Sequence, residues 1–189
     1  MSLRTSRRRV LSGLLAAMLC CRAATGADVR SLEYGVKAAF LYNFVKFVEW
    51  PSTAFATSDS PVAICVLGAD PFGRTLDEIV EGERVESRAL VVRRVDTAAD
   101  AASCHLLFVS SSERKRFAAI LGAIDTRRVL TVAENIDFLG AGGHIAFYLE
   151  ANRVRFAVNT VATAQSEFQV SSKLLRVARI YDSRSGPPR

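Results

Sequence analysis

Two uninterrupted apolar runs constrain this chain more than anything else in it. Val62-Ala63-Ile64-Cys65-Val66-Leu67 follows Pro61, and Cys104-His105-Leu106-Leu107-Phe108-Val109 lies forty residues further on. A strand with one wet face alternates polar and apolar residues. A strand that is apolar throughout is buried on both faces, the usual condition in a parallel sheet. Ala89–Val95 and Val129–Val132 read as two further strands. Between these runs the spacing turns helical. Arg74–Glu83 carries Leu76, Ile79 and Val80, Asp96–Ala102 suits a short helix, and Asn135–Leu139 suits a helical turn. Ser110-Ser111-Ser112-Glu113 caps a helix with Phe117, Ile120 and Leu121 on one face. Strands alternating with helices predict a parallel α/β sheet. If the strand order is 2-1-3-4-5, the runs at 62–67 and 104–109 are neighbours.

Beyond Gly140-Ala141-Gly142-Gly143 the pattern changes. His144–Leu149 and Arg153–Val158, separated by Glu150-Ala151-Asn152, predict a β-hairpin. Asn159–Phe168 reads as helical, and Ser171-Ser172 caps a last helix over Lys173–Ile180. The expected architecture is a single three-layer α/β domain: a mostly parallel sheet flanked by helices, with a C-terminal β-hairpin. It spans 28–182, and 183–189 is a flexible tail.

Tyr34–Pro51 predicts a further helix. Val36, Phe40, Leu41, Phe44, Val45, Phe47 and Val48 share a broad face that must pack on something, and the sheet is available. Lys37 falls inside that arc and is expected to snorkel outward. Pro51 stops the helix and displaces Trp50 from helical geometry. Core packing explains most of the aromatics. The polar side, with Tyr42 and Lys46, and the exit at Trp50 are where a partner would be met.

The formal charge of +6 invites a nucleic-acid reading, but five arginines lie in the first 27 residues, which hold no acidic residue. Without them the balance is +1, so the electrostatic footprint for DNA or RNA is missing. Residues 1–27 read as an export signal. Arg7-Arg8-Arg9 form the basic region, Val10–Cys21 a short apolar run, and Thr25-Gly26-Ala27 a small-residue cleavage site. Ser6–Leu11 also resembles a twin-arginine signal. Leu19 and Cys20 suit a lipoprotein anchor poorly, and no later segment is long and apolar enough to span a bilayer. The expected product is periplasmic, with no direct membrane insertion after the signal is removed.

Cys65 and Cys104 remain after export. An even count in an oxidising compartment makes a disulfide the default, worth about 4 kcal/mol for a loop of roughly 40 residues. A metal site stays open beside it, although His105 and His144 are the only histidines and no CxxC or HxxxH spacing accompanies them. Gly68–Thr75 nearly spells a phosphate-binding loop. Arg74 stands where lysine belongs, Asp70 places a negative charge in the cradle, and Pro71 removes a donor. A turn capping the next helix explains it better. Gly140–Gly143 precedes a strand, which fits a tight turn, and capping accounts for the serine triplet. Arg153 and Arg155 share a strand face; a solvated face explains them, and an anionic contact is the sharper reading. No catalytic set, cofactor loop or metal cluster emerges.

Lys37–Pro51 (KAAFLYNFVKFVEWP), Cys65–Leu76 (CVLGADPFGRTL), Val129–Asn159 and Ser171–Ala178 (SSKLLRVA) together resemble the YfiR family of small bacterial periplasmic proteins. The resemblance covers nearly the whole mature chain in the same order. His144 stands where the family often has Met, and Gln165–Gln169 is more polar than the usual Ala-Gly-Leu. The resemblance implies a non-enzyme without cofactor. Its relatives bind the periplasmic domain of a membrane-bound diguanylate cyclase and hold it inactive. It implies that Cys65 and Cys104 form a disulfide that supports folding and is a candidate reporter of envelope redox state. Self-association as a homodimer is left open. The competing readings are a periplasmic small-ligand-binding sensor, using the crevice at the carboxyl ends of the strands, and a nucleotide enzyme built on Gly68–Thr75.

Overall fold

The computed structural model describes residues 29–181. The expected export signal and the 183–189 tail lie outside the described residues. The chain divides into two units, 1–34 and 35–189. In the first, residues 29–34 are helical. The second, from Gly35 onward, carries every strand described.

The strands are β1 (Val48–Glu49), β2 (Val62–Leu67), β3 (Arg84–Val85), β4 (Arg88–Val95), β5 (Leu106–Val109), β6 (Leu130–Ala133), β7 (Ile145–Glu150), β8 (Arg153–Asn159), β9 (Gln169–Val170) and β10 (Arg179–Tyr181). Helices are α1 (35–46), α2 (Arg74–Val80), α3 (Phe117–Ala123), α4 (Asp137–Gly140), α5 (Thr160–Ala164) and α6 (Ser172–Leu175). Single 3-10 turns occupy Ser52–Ala54, Ala99–Ser103 and Ser111–Arg116.

The main sheet has the order β10-β8-β7-β6-β5-β2-β4-β3. Its centre, β4-β2-β5-β6-β7, is parallel throughout and reproduces the doubly wound order anticipated from the sequence. The hairpin β7–β8 adds an antiparallel pair. Every residue of β2, β5 and β6 is buried. Each large apolar side chain so placed contributes about 1.5–3 kcal/mol of transfer free energy, which is why the unbroken apolar runs occupy the middle of the sheet.

Both faces are covered. On one, Ala63, Cys65, Leu107 and Val109 meet Phe117, Ile120 and Leu121 of α3 and Phe138 of α4. On the other, α1 lays Phe40 and Phe44 against Phe147 and Phe156 of the hairpin, with ring centroids 4.9–5.9 Å apart. Phe108 turns to this second face and meets Phe72 edge-on at 4.8 Å. These layers make the three-layer α/β domain with its C-terminal hairpin.

Several local expectations are corrected. The first helix ends at Lys46 and not at Pro51. Val48 and Glu49 instead pair antiparallel with Val170 and Gln169. A β-branched residue with a strand partner within reach outcompetes the helical pattern, and Trp50, preceding proline, disfavours helix in any case. Val36, at the start of the apolar face, is 46% exposed. Lys37 does not snorkel. It is buried, and its Nζ lies 2.7 Å from Glu134 Oε1. The helix anticipated over Asn159–Phe168 covers only Thr160–Ala164. The last helix stops at Leu175, and Arg179–Tyr181 becomes an edge strand parallel to β8.

Candidate functional site

Cys65 and Cys104 are disulfide-bonded, with Cα atoms 5.9 Å apart. The sheet order produces this closeness. β2 and β5 are adjacent and parallel, and His105 N–H donates to Ala63 O across them at 2.9 Å. That backbone bond fastens the approach to β5 against β2, and the disulfide closes from the residue just before it.

A cavity of about 230 Å³ opens next to this bond, at the amino ends of β5 and β6. Its wall is mostly small and apolar, with Ala54, Ala98, Ala102, Ile124 and Val129. Cys104, His105, Asp125 and Arg128 also line it. The segments are those that precede strands: the 3-10 turns at 52–54 and 99–103, and the bend between α3 and β6. The crevice anticipated at the carboxyl ends of the strands is therefore not where this cavity lies.

His105 is the cavity's most constrained polar group. It is buried, and Ala63 N–H donates to its Nδ1 at 3.1 Å. Phe55 stacks on the imidazole at 4.6 Å, and Arg88 Cζ sits 3.6 Å over the Phe55 ring. Arg88 is held in turn by the Thr57 and Ser60 carbonyls at 3.0 and 2.8 Å. Trp50 approaches His105 edge-on at 5.8 Å. Burial pushes the His105 pKa below its ordinary value, the Ala54 carbonyl pulls it back, and the charges of Arg88 and Arg93 push it further down. The ring is neutral at pH 7. With Nδ1 accepting from the backbone, its proton sits on Nε2. The Ala54 carbonyl is near enough to act on the ring's charge but makes no hydrogen bond with Nε2, and no other described residue does.

The anticipated contact residues fall in three places. Tyr42 donates to Glu83, and Lys46 Nζ lies 3.3 Å from Tyr42 Oη and 4.9 Å from its ring centroid. This pair faces the β3 end of the sheet. Arg153 and Arg155 are exposed on β8, near the opposite end, with Arg155 Nε 3.7 Å from Glu150 Oε2. Trp50 is half-buried against His105 and Phe168, and its indole N–H has no partner among the described residues. The structure brings Tyr42 and Lys46 together, and Arg153 and Arg155 together, but does not unite the two pairs. Arg88, Phe55 and Arg128 are not marked out by the sequence. Their roles come from tertiary stacking between distant segments, for which no sequence motif exists.

The near-P-loop is occupied by its own ion pairs. Arg94 joins Asp70 at 2.9 Å, Asp77 at 2.6 Å and the Gly73 carbonyl at 2.7 Å. Phe72 N–H donates to Asp70 Oδ1 at 2.8 Å. Ser112 Oγ accepts from Ala69 N–H, and Ser110 Oγ from Ser112 N–H, so the serine triplet fastens the loop and caps the turn. Among the described residues there is no group of three or more metal-ligating side chains. No helix there is long and apolar enough to cross a membrane.

A doubly wound sheet with a disulfide from β2 to the segment leading into β5, and helices on both faces, defines a class of disulfide-clamped α/β domains. Within that class this chain belongs to the YfiR/HmsC-like family, whose pattern it matches over residues 34–179. The family is regulatory and non-catalytic, and at family level its members are periplasmic regulators of diguanylate cyclase. No curated protein matches the chain.

Proposed function

We propose that this chain is exported to the periplasm, binds the periplasmic domain of a membrane-bound diguanylate cyclase and holds the enzyme inactive, lowering cyclic di-GMP in the cell. The family match over 34–179 carries this reading. The physical mechanism is differential affinity: a protein that binds the cyclase's off state more tightly than its on state shifts the population toward off. A hundredfold preference corresponds to about 2.7 kcal/mol. Tyr42 with Lys46, Arg153 with Arg155, and Trp50 are the proposed contacts. The domain proper is 28–182, following a cleaved signal over 1–27.

The test is to delete the gene in a host that carries a membrane-bound GGDEF protein encoded beside it, and to measure cyclic di-GMP. Levels should rise, and return on complementation with the exported chain but not with one lacking residues 1–27. Unchanged levels with the cyclase present would reject the proposal. Charge reversal at Lys46 or Arg155 should weaken capture of the cyclase's periplasmic domain if those residues make contact.

A further inference from the structure

The hairpin β7–β8 is not flanked along its whole length. β6 pairs with β7 only at Ile145 and Ala146, and β10 pairs with β8 only at Ala157, Val158 and Asn159. Among the described residues, 153–156 of β8 therefore form an open sheet edge. The phase of the hairpin decides what that edge presents. Asn159 N–H donates to His144 O at 2.8 Å, which makes 144 and 159 a hydrogen-bonded pair. Bonded and non-bonded pairs alternate along an antiparallel ladder. Glu150↔Arg153 and Tyr148↔Arg155 are then bonded pairs, and Leu149↔Val154 is a non-bonded one. The two-residue turn at Ala151-Asn152 agrees with this phase. Val154 thus turns its N–H and C=O away from β7, just as Val158 turns toward β10.

The side chains along this edge carry one sign. Arg153 and Arg155 share a face of the strand, and Arg179 of β10 joins them, because its neighbour Ala157 continues the same alternation. All three are exposed. Arg155 has a loose partner, Glu150 Oε2 at 3.7 Å from its Nε, with both side chains more than half in solvent. The other face carries Val154, across from Leu149, which is 54% exposed. A second copy of the chain fits this edge badly. Antiparallel pairing about Val154 would set Arg153 of each copy opposite Arg155 of the other, and like charges directly opposite destabilise a sheet. Edge charges of this kind keep copies apart. They favour a strand of the opposite sign.

We propose that residues 153–156 receive an added strand from a protein partner, a segment in which acidic residues flank an apolar one. Its carboxylates face Arg153 and Arg155, its apolar side chain lies against Val154 and Leu149, and its main chain bonds to Val154 N–H and C=O. β10 begins beside Ala157 and stops the added strand there. That the segment belongs to the cyclase's periplasmic domain rests on the proposed function. The strand addition itself rests on the edge.

The experiment uses the oxidised, exported protein labelled with ¹⁵N and the blocked peptide Thr-Glu-Val-Glu-Thr. Two controls accompany it, one with lysine in place of glutamate and one N-methylated at the valine. The acidic peptide should saturate, move the Val154 amide resonance and slow its hydrogen exchange. The lysine form should bind on the order of tenfold more weakly, and the N-methylated form about fivefold more weakly at unchanged charge. The double variant Arg153→Glu, Arg155→Glu, altered only at exposed positions, should prefer the lysine peptide while its melting temperature stays near that of the parent. A Val154 resonance that no peptide moves overturns the assignment. An N-methylated form that binds as tightly as the parent peptide reduces the arginines to a plain anion site and overturns strand addition. An unreversed preference in the double variant overturns the charge assignment. If the peptide results hold but the double variant still captures the cyclase's periplasmic domain undiminished, the edge stands and the cyclase is not its occupant.

Discussion

Lys37 on α1 and Glu134, just past the end of β6, meet at 2.7 Å with side chains only 6% and 10% exposed. The pair joins the first helix to the carboxyl end of the sheet, from a position on the helix that otherwise faces apolar neighbours. Removing one partner takes away this short ion pair at a site with little water to replace it. Lys37→Met or Glu134→Gln alone should cost about 1–3 kcal/mol. The double variant Lys37→Met, Glu134→Leu should recover most of that loss. Urea unfolding of the two singles and the double, combined as a double-mutant cycle, checks this. Additive losses would show that the two side chains act independently.

The disulfide makes a separate prediction. Cys65→Ala, Cys104→Ala should lose about 4 kcal/mol, the chain-entropy value for a loop of this size. In a domain of this length that is on the order of 10 °C in melting temperature. Under the proposed function the same variant represses cyclase less at 37 °C, because less of it is folded. A melting temperature equal to that of the parent would contradict the prediction.

Acid should weaken the fold through His144. Burial pushes its pKa down to about 4, against about 6.5 in the unfolded chain. The unfolded state therefore takes up the proton first as pH falls. The stability at stake is complete above pH 6.5 and is lost between 6.5 and 4, up to about 3 kcal/mol. His105 shifts in the same direction and adds to the slope. Denaturant midpoints measured from pH 7.5 to 4.5 should decline, and His144→Met should decline less steeply. At neutral pH that variant should be about 1–3 kcal/mol weaker, because Thr131 N–H loses its acceptor.

Gly143 is needed for space. A Cβ there would fall 2.3 Å from two atoms of the buried Phe138 ring. Gly143→Ala should cost about 1–3 kcal/mol as an overpacked site, and pairing it with Phe138→Leu should return part of the loss. Calorimetric melting of the single and double variants decides it.

The hairpin turn offers a gain. Ala151 and Asn152 take φ of 47° and 60°, the left-handed pair that a two-residue hairpin loop requires. Asparagine tolerates this better than alanine. Ala151→Asn should therefore stabilise the protein by about 0.5 kcal/mol, seen as a small rise in denaturant midpoint with an unchanged slope.

How far each feature is legible in the sequence depends on its physics. The sheet centre is legible because burial on both faces writes itself as an unbroken apolar run, as in Val62–Leu67. The hairpin is legible because Glu150-Ala151-Asn152 separates two strand-forming runs. The ends of α1 and α6 are not. Val48 and Ile180 suit helix and strand alike, and their choice depends on partners at Val170 and Val158, far away in the chain. Lys37 misleads for a related reason: snorkelling is a local expectation, whereas Glu134 is a tertiary partner. The cavity is wholly illegible. It is framed by alanines in three connections, and small residues with nothing beside them have no sequence signature. What the sequence does carry is the one histidine that begins a strand beside a cysteine.

The ribbon of β1 and β9 ties residues 48–49 to 169–170, near the two extremities of the body. During synthesis or export the first helix can collapse on the sheet early, yet its exit cannot be fastened until almost the whole polypeptide has arrived. A product cut short before Gln169 would hold both cysteines of the Cys65–Cys104 bond and still leave β1 without its partner strand. The disulfide therefore certifies oxidation, and the ribbon certifies completion, so an oxidised chain is not by that fact a finished one.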